Sequence, residues 1–154
     1  MKTKALLTAL DALAKTIPHA NRSDTHISAQ GVGWHIAHSL TVIEKVCQQT
    51  IQSDPEAFRP SFKLSKTIVL LTGYIPRGAA KAPKVVLPEP EFDPQKIEQQ
   101  VLNARNLITQ LEKLPPRAFF EHPYFGHVAL RSVPRFLEIH TRHHLKIIQD
   151  ILHT

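Results

Sequence analysis

One cysteine, Cys47, is the only thiol in the sequence. It has no partner for an intrachain disulfide, it excludes a Cys-rich zinc site, and it allows a reducing compartment. Cys47 lies on an apolar helical stripe, where it reads as a small buried hydrophobe rather than a nucleophile. No run approaches the roughly 20 apolar residues that a helix needs to cross a bilayer, so no membrane partner is expected. Five glycines are too dispersed to make a Gly-rich phosphate loop. A Ser-His-Asp order and a paired-acid motif are missing as well, and there are no internal repeats or low-complexity tracts. Met1-Lys2-Thr3-Lys4-Ala5-Leu6-Leu7 resembles the start of a secretion signal, but Asp11 and Lys15 interrupt the apolar run and no cleavage site precedes Pro18. The segment reads as mature helix, and the protein as cytoplasmic.

What the chain does contain is ordinary for a globular protein: 154 residues, 42% hydrophobic and 21% charged. This is long enough for one domain, residues 1–154, with a core of its own. The net charge of +6 raises the question of nucleic acid. The basic residues are scattered, however, and neither an aromatic-and-basic stripe nor a helix-turn-helix pattern accompanies them. A solvated basic surface is the better account, and one that helps collect an anionic substrate.

The periodicity predicts helices joined by Pro-rich connectors. Leu6, Leu10, Leu13 and Ile17 form a first seam, ended by Pro18. A second helix is expected from about Ser28 to Ser53, with Ile36, Leu40, Ile43 and Cys47 inward and Val42 and Val46 widening the buried face. Gly31 and Gly33 weaken its first turns. A third, shorter helix is expected over Ser61–Thr72, with Leu64, Ile68 and Leu71 inward and Gly73 as its C-cap; Thr67–Leu71 fits a strand as well. Tyr74–Phe92 holds four prolines and the cations Arg77, Lys81 and Lys84, and reads as an exposed loop rather than a rim for an anion. The fourth helix has strong start signals: Asp93 as N-cap, Pro94 at the first position, and Phe92 placed to staple onto Ile97. Its seam is Ile97, Val101, Ala104, Ile108 and Leu111, and Pro115-Pro116 closes it. The aromatic stretch Phe119–His127 reads as a loop folded over the end of a bundle. The last helix, Ser132–Leu152, tolerates Pro134 in its first turn. The fold class expected is all-α, a four-helix bundle with an additional short helix and a long Pro-rich loop.

Ten histidines are many for this length. The seam of the last helix runs Val133, Leu137, His140, His144, Ile147, Ile151, so two imidazoles one turn apart point where the core should be. A pair at i, i+4 can converge on one ion. On the second helix, His35 and His38 are also one turn apart beside the apolar stripe, and either is placed to face His140 and His144. Three neutral imidazoles with a remaining open position form the pattern of a catalytic metal site. Zn²⁺ or Ni²⁺ suits such ligands, and spacing does not choose between them. The competing account is a set of core histidines satisfied by hydrogen bonds. Glu138 and Arg142, at i, i+4, read as a surface pair. His122 and His127 read as loop histidines, with His127 able to approach the site.

Three stretches together resemble the DinB-like (YfiT-like) superfamily of metalloenzymes. Trp34-His35-Ile36-Ala37-His38-Ser39 is similar to a segment of its second helix. His140-Thr141-Arg142-His143-His144 is similar to the His-x-x-His-His signature of its last helix. His122-Pro123-Tyr124-Phe125-Gly126 is similar to a connector found in one branch. The resemblance implies a four-helix bundle holding one divalent metal on His38, His140 and His144, with His143 turned aside. It also implies an activity of the thiol-dependent S-transferase or hydrolase kind, with a small-molecule substrate and a low-molecular-weight thiol as partners, and it allows a homodimer. The chain departs from the family in its glutamine: many members carry one close behind the double histidine, whereas here Gln149 lies further along. The alternative is a non-catalytic bundle whose metal or histidine cluster is structural.

Overall fold

The computed structural model describes residues 3–154. Four long helices, α1 (Lys4–Ala14), α2 (Val32–Gln52), α4 (Pro94–Leu111) and α5 (Val133–Leu152), enclose the core, and a short α3 (Leu64–Thr72) lies outside it. Helix α2 packs against α4 and α5, and α1 packs against the same two. The predicted seams are the buried ones. Leu6, Leu10 and Leu13 of α1, Ile36, Leu40, Ile43 and Cys47 of α2, Ala104, Ile108 and Leu111 of α4, and Val133, Leu137 and Ile151 of α5 form one continuous cluster. Ile17 leaves its helix for a 3-10 turn, Ile17–His19, carrying Pro18.

Helix α2 starts four residues later than the periodicity predicts. Gly31 is its N-cap in an extended conformation, φ −81° and ψ 174°. The N–H groups of Val32 and Gly33 then donate to the carbonyls of Arg22 (2.9 Å) and Ala20 (3.0 Å), so the preceding connector serves donors that a helix start leaves unpaired. A Cβ on Gly33 would come within 3.0 Å of both the Ala20 carbonyl and the Phe92 ring. The close approach, rather than flexibility, accounts for glycine at this point in a helix. At the start of α4, Asp93 Oδ1 accepts from the N–H of Gln95 (3.0 Å) and of Lys96 (3.4 Å), with Pro94 at the first position, as the capping signals predict.

Two expectations are corrected. Leu64, Ile68 and Leu71 of α3 are exposed, not inward, and none of the helix is fully buried. The four long helices already close the core, so α3 brings only the partly buried Leu70 to it. Lys66 ties the helix down instead, its Nζ donating to the Ser61 carbonyl (2.6 Å) and the His127 carbonyl (3.3 Å). Gly73 does cap α3, at φ 68°. The second correction concerns the last connector. Phe119–His127 is not a loop but most of an antiparallel hairpin, β1 (Phe119–His122) and β2 (Gly126–Ala129), which adds a small two-stranded sheet to the mostly helical fold that the periodicity predicts. Phe120 and Val128 sit opposite each other and are buried, while their neighbours Glu121 and His127 face away. This period-2 alternation is what a half-buried ribbon requires. The ribbon docks on the end of α2, where Phe119 N–H donates to Ser53 Oγ (3.0 Å) and Glu121 N–H to Gln49 Oε1 (3.2 Å).

Gly126 closes the three-residue turn at φ 65°, in the left-handed region, and a Cβ there would meet Ser61 Oγ at 2.8 Å. The backbone penalty for a side chain in this conformation is roughly 1–2 kcal/mol. Gly126→Ala is therefore expected to lower Tm by roughly 2–8 °C in a thermal melt. An unchanged Tm would show that the turn does not need the left-handed backbone.

Candidate metal centre

The packing of α2 on α5 brings three imidazoles together. Ring centroids are 5.2 Å apart for His38 and His140, 4.8 Å for His38 and His144, and 4.6 Å for His140 and His144. One nitrogen from each ring lies within 4.8 Å of the other two. Nitrogens bound to a tetrahedral zinc stand about 3.4 Å apart, given bonds of about 2.1 Å. The 4.8 Å limit on the observed cluster is wider than that spacing, so the three rings converge on one point without being drawn in to bonding distance of an ion. His38 and His144 are buried, and His140 is half-buried with its Nδ1 fully enclosed.

Each ring is held differently. His38 Nδ1 lies 2.8 Å from the Val86 carbonyl. A carbonyl only accepts, so Nδ1 carries the proton and Nε2 is left with a free lone pair. Trp34 stacks on the same ring, with centroids 4.7 Å apart and planes 17° from parallel. His144 Nδ1 lies 2.9 Å from His35 Nδ1, and His35 Nε2 lies 3.0 Å from Ser28 Oγ. His140 Nδ1 has no hydrogen-bond partner at all. A buried nitrogen left in that state costs about 1–3 kcal/mol, a cost that an ion held through this nitrogen would offset.

Burial is the largest influence on every one of these side chains, and it disfavours the charged form. It pushes His35 down to about 4, aided by neighbouring His38, and it holds His140 well below the usual imidazole range. His144 is lowered by burial and then by His140 and His38. His38 is also lowered, against the opposing effect of its bond to Val86. All four are neutral at pH 7, and His38, His140 and His144 converge. Three converging neutral imidazoles, one with an unserved buried nitrogen, fit a borderline divalent cation such as Zn²⁺ or Ni²⁺.

The remaining histidines fall outside the cluster. His35 is buried, but both its nitrogens are engaged, by Ser28 and by His144. His143 is half-buried beside the Ile75 carbonyl, on a different side of α5 from the convergent pair. His127 is committed to the hairpin, stacked on Phe119 at 4.1 Å and accepting the Arg59 N–H at 3.0 Å through Nδ1. His122 closes the hairpin turn, its Nδ1 accepting from the N–H groups of Tyr124 (3.1 Å) and Phe125 (3.2 Å), and burial lowers it to about 4. Glu138 is more than a surface partner of Arg142. It is buried and bridges Arg142 (2.9 Å) and Arg135 (3.2 Å). In the Pro-rich loop, Arg77 is paired with Asp150 of α5 at 2.6 Å. Cys47 is fully buried, and burial raises its thiol to about 12, which removes it as a nucleophile at neutral pH.

Two participants, and the role of a third, escape sequence reasoning. Val86 acts through its backbone carbonyl, for which no side-chain signal exists. Ser28 lies outside α2, in the turn before it. His35 is visible as a histidine beside the stripe, but its role as a partner of His144 requires the register between α2 and α5. No family model matches this chain, and neither a curated protein nor a solved structure matches it.

Proposed function

We propose that this protein is a divalent-metal-binding helical bundle of the DinB-like kind, with His38, His140 and His144 as the ligands. The observation that carries the proposal is the convergence of three neutral imidazoles from two helices, with one buried nitrogen unserved. The pairwise packing of α1, α2, α4 and α5 supports the four-helix-bundle description, and the order of the three motifs along the chain supports the family. A borderline cation held on three protein ligands supplies Lewis acidity at its remaining position, where it lowers the pKa of a thiol or water.

The chain's own groups prepare that position. Val86 and Trp34 fix the His38 ring, and burial keeps all three ligands unprotonated at neutral pH. The activity we infer is nucleophilic attack by a small thiol or by water on an electrophile, in a thiol-dependent transferase or a hydrolase. A cytoplasmic setting belongs to the same proposal. Two of the three ligand rings being buried favours a second reading, in which the ion is structural and the bundle does no chemistry. Zinc-loaded protein assayed with small thiols and activated electrophiles separates the two. Catalysed consumption of thiol, or hydrolysis without thiol, is the expected result. Rates no higher than those of the buffer across the panel would leave only the structural role.

A further inference from the structure

His35 is the buried histidine that the three-ligand set leaves out, yet it touches that set directly. A neutral imidazole carries a single proton, on one of its two nitrogens. Of the facing Nδ1 atoms of His35 and His144, 2.9 Å apart, only one can therefore be the donor. If His35 donates, His144 accepts at Nδ1 and must carry its proton at Nε2. Neither nitrogen of His144 then has a lone pair to offer an ion. If His144 donates, its Nε2 is free to bind, His35 accepts at Nδ1, and the proton of His35 sits on Nε2. That nitrogen faces Ser28 Oγ at 3.0 Å. Ser28 Oγ is held in place by the Gln30 N–H at 3.1 Å and has a second lone pair with which to accept.

We propose that Ser28 and His35 form a proton-ordering chain that holds His144 in the Nδ1–H tautomer, which makes His35 a positioning residue for metal capture. The proton sequence is Ser28 Oγ accepting from His35 Nε2–H, then His35 Nδ1 accepting from His144 Nδ1–H, with the lone pair of His144 Nε2 directed to the ion. No proton is gained or lost when the order is set; each ring exchanges one tautomer for the other. The chain complements the carbonyl of Val86, which imposes the same Nδ1–H tautomer on His38. It rests on the metal-ligand assignment proposed above. Hydrogen-bond partners of this kind change metal affinity by about 10–100-fold when removed.

Zinc affinity, measured by competition with a chromophoric chelator, tests the chain in the full-length protein. His35→Phe keeps the ring volume and removes the acceptor, and it is expected to weaken zinc binding by about 10–100-fold while leaving one site per chain. His35→Gln restores a carbonyl that can accept from His144 and is expected to recover part of that loss. Ser28→Ala removes only the outer partner and gives a smaller, few-fold loss. ¹⁵N-histidine NMR of the zinc-loaded wild type is expected to show the proton of His144 on Nδ1 and that of His35 on Nε2. Should His35→Phe not fold, the Gln and Ser28→Ala variants and the NMR spectrum carry the test. Wild-type affinity in His35→Phe, or a proton on His144 Nε2 in the loaded protein, overturns the chain and leaves the three-ligand assignment standing. Complete loss of the site in His35→Phe and His35→Gln alike would make His35 a ligand, which also overturns it. A wild-type protein that takes up no zinc removes the ligand assignment, and the chain goes with it.

Discussion

Replacing His38, His140 and His144 together by alanine is expected to reduce bound metal from about one ion per chain to background, as a single three-histidine site requires. The size of the effect follows from the composition of the cluster. Among the described residues, these three are the group of His, Cys, Asp or Glu side chains that converges closely enough to hold an ion. No carboxylate or thiol is in that group to sustain partial binding. The measurement is elemental analysis of untagged protein after chelation, reloading with zinc and gel filtration. Circular dichroism must accompany it, because the substitution empties space between α2 and α5. His140→Ala alone serves as a second variant: it removes a half-buried ring whose Nδ1 has no protein partner, so it disturbs the hydrogen bonding of the core least. Metal retained at wild-type level in the triple variant would sink the assignment.

Zinc loading of the wild type is expected to raise Tm by roughly 5–10 °C when free zinc is about 100 times Kd. A ligand that binds only the folded state adds about 2.7 kcal/mol at that concentration, and 1 kcal/mol is worth about 2–4 °C in a chain of this size. The site's burial favours the effect, since its three rings come from two helices and are already neutral. Differential scanning calorimetry with zinc, and again with excess chelator, reads the shift directly. The triple variant is expected to show none. Equal Tm values with zinc and with chelator in the wild type would mean either that no ion binds or that it binds the unfolded chain equally well, and the elemental analysis separates these.

How far the sequence predicts this structure depends on where the information lies. The four long helices were legible because each buries a stripe at helical spacing: Leu6, Leu10 and Leu13, or Ile97, Val101, Ala104 and Ile108, leave no other period. Asp93 with Pro94 located the start of α4 because capping chemistry is local. His140 and His144 were legible for the same reason, as polar residues in an otherwise apolar stripe, whereas spacing left His35 and His38 as equal candidates on α2 and only the resemblance singled out His38. Helix α3 misled because Leu64, Ile68 and Leu71 have the right spacing for a buried face but no space remains in the core for it. The hairpin was obscured by its aromatic content. Only Phe120 and Val128 face the core, and two inward residues are too few for a period to emerge. Ser28, His35 and Val86 depend on pairings between distant segments, and no local pattern encodes those.

The bond from His38 Nδ1 to the Val86 carbonyl constrains variation in an unusual way. Because position 86 contributes a peptide oxygen, its side chain makes no part of this contact and packs against the core instead. What cannot change freely is the count of residues between α3 and α4 that delivers this particular peptide to His38. Insertions and deletions within 74–85, rather than substitutions, are therefore the changes that would reach the cluster from this side. On this side of the cluster the loop would thus be strict in length.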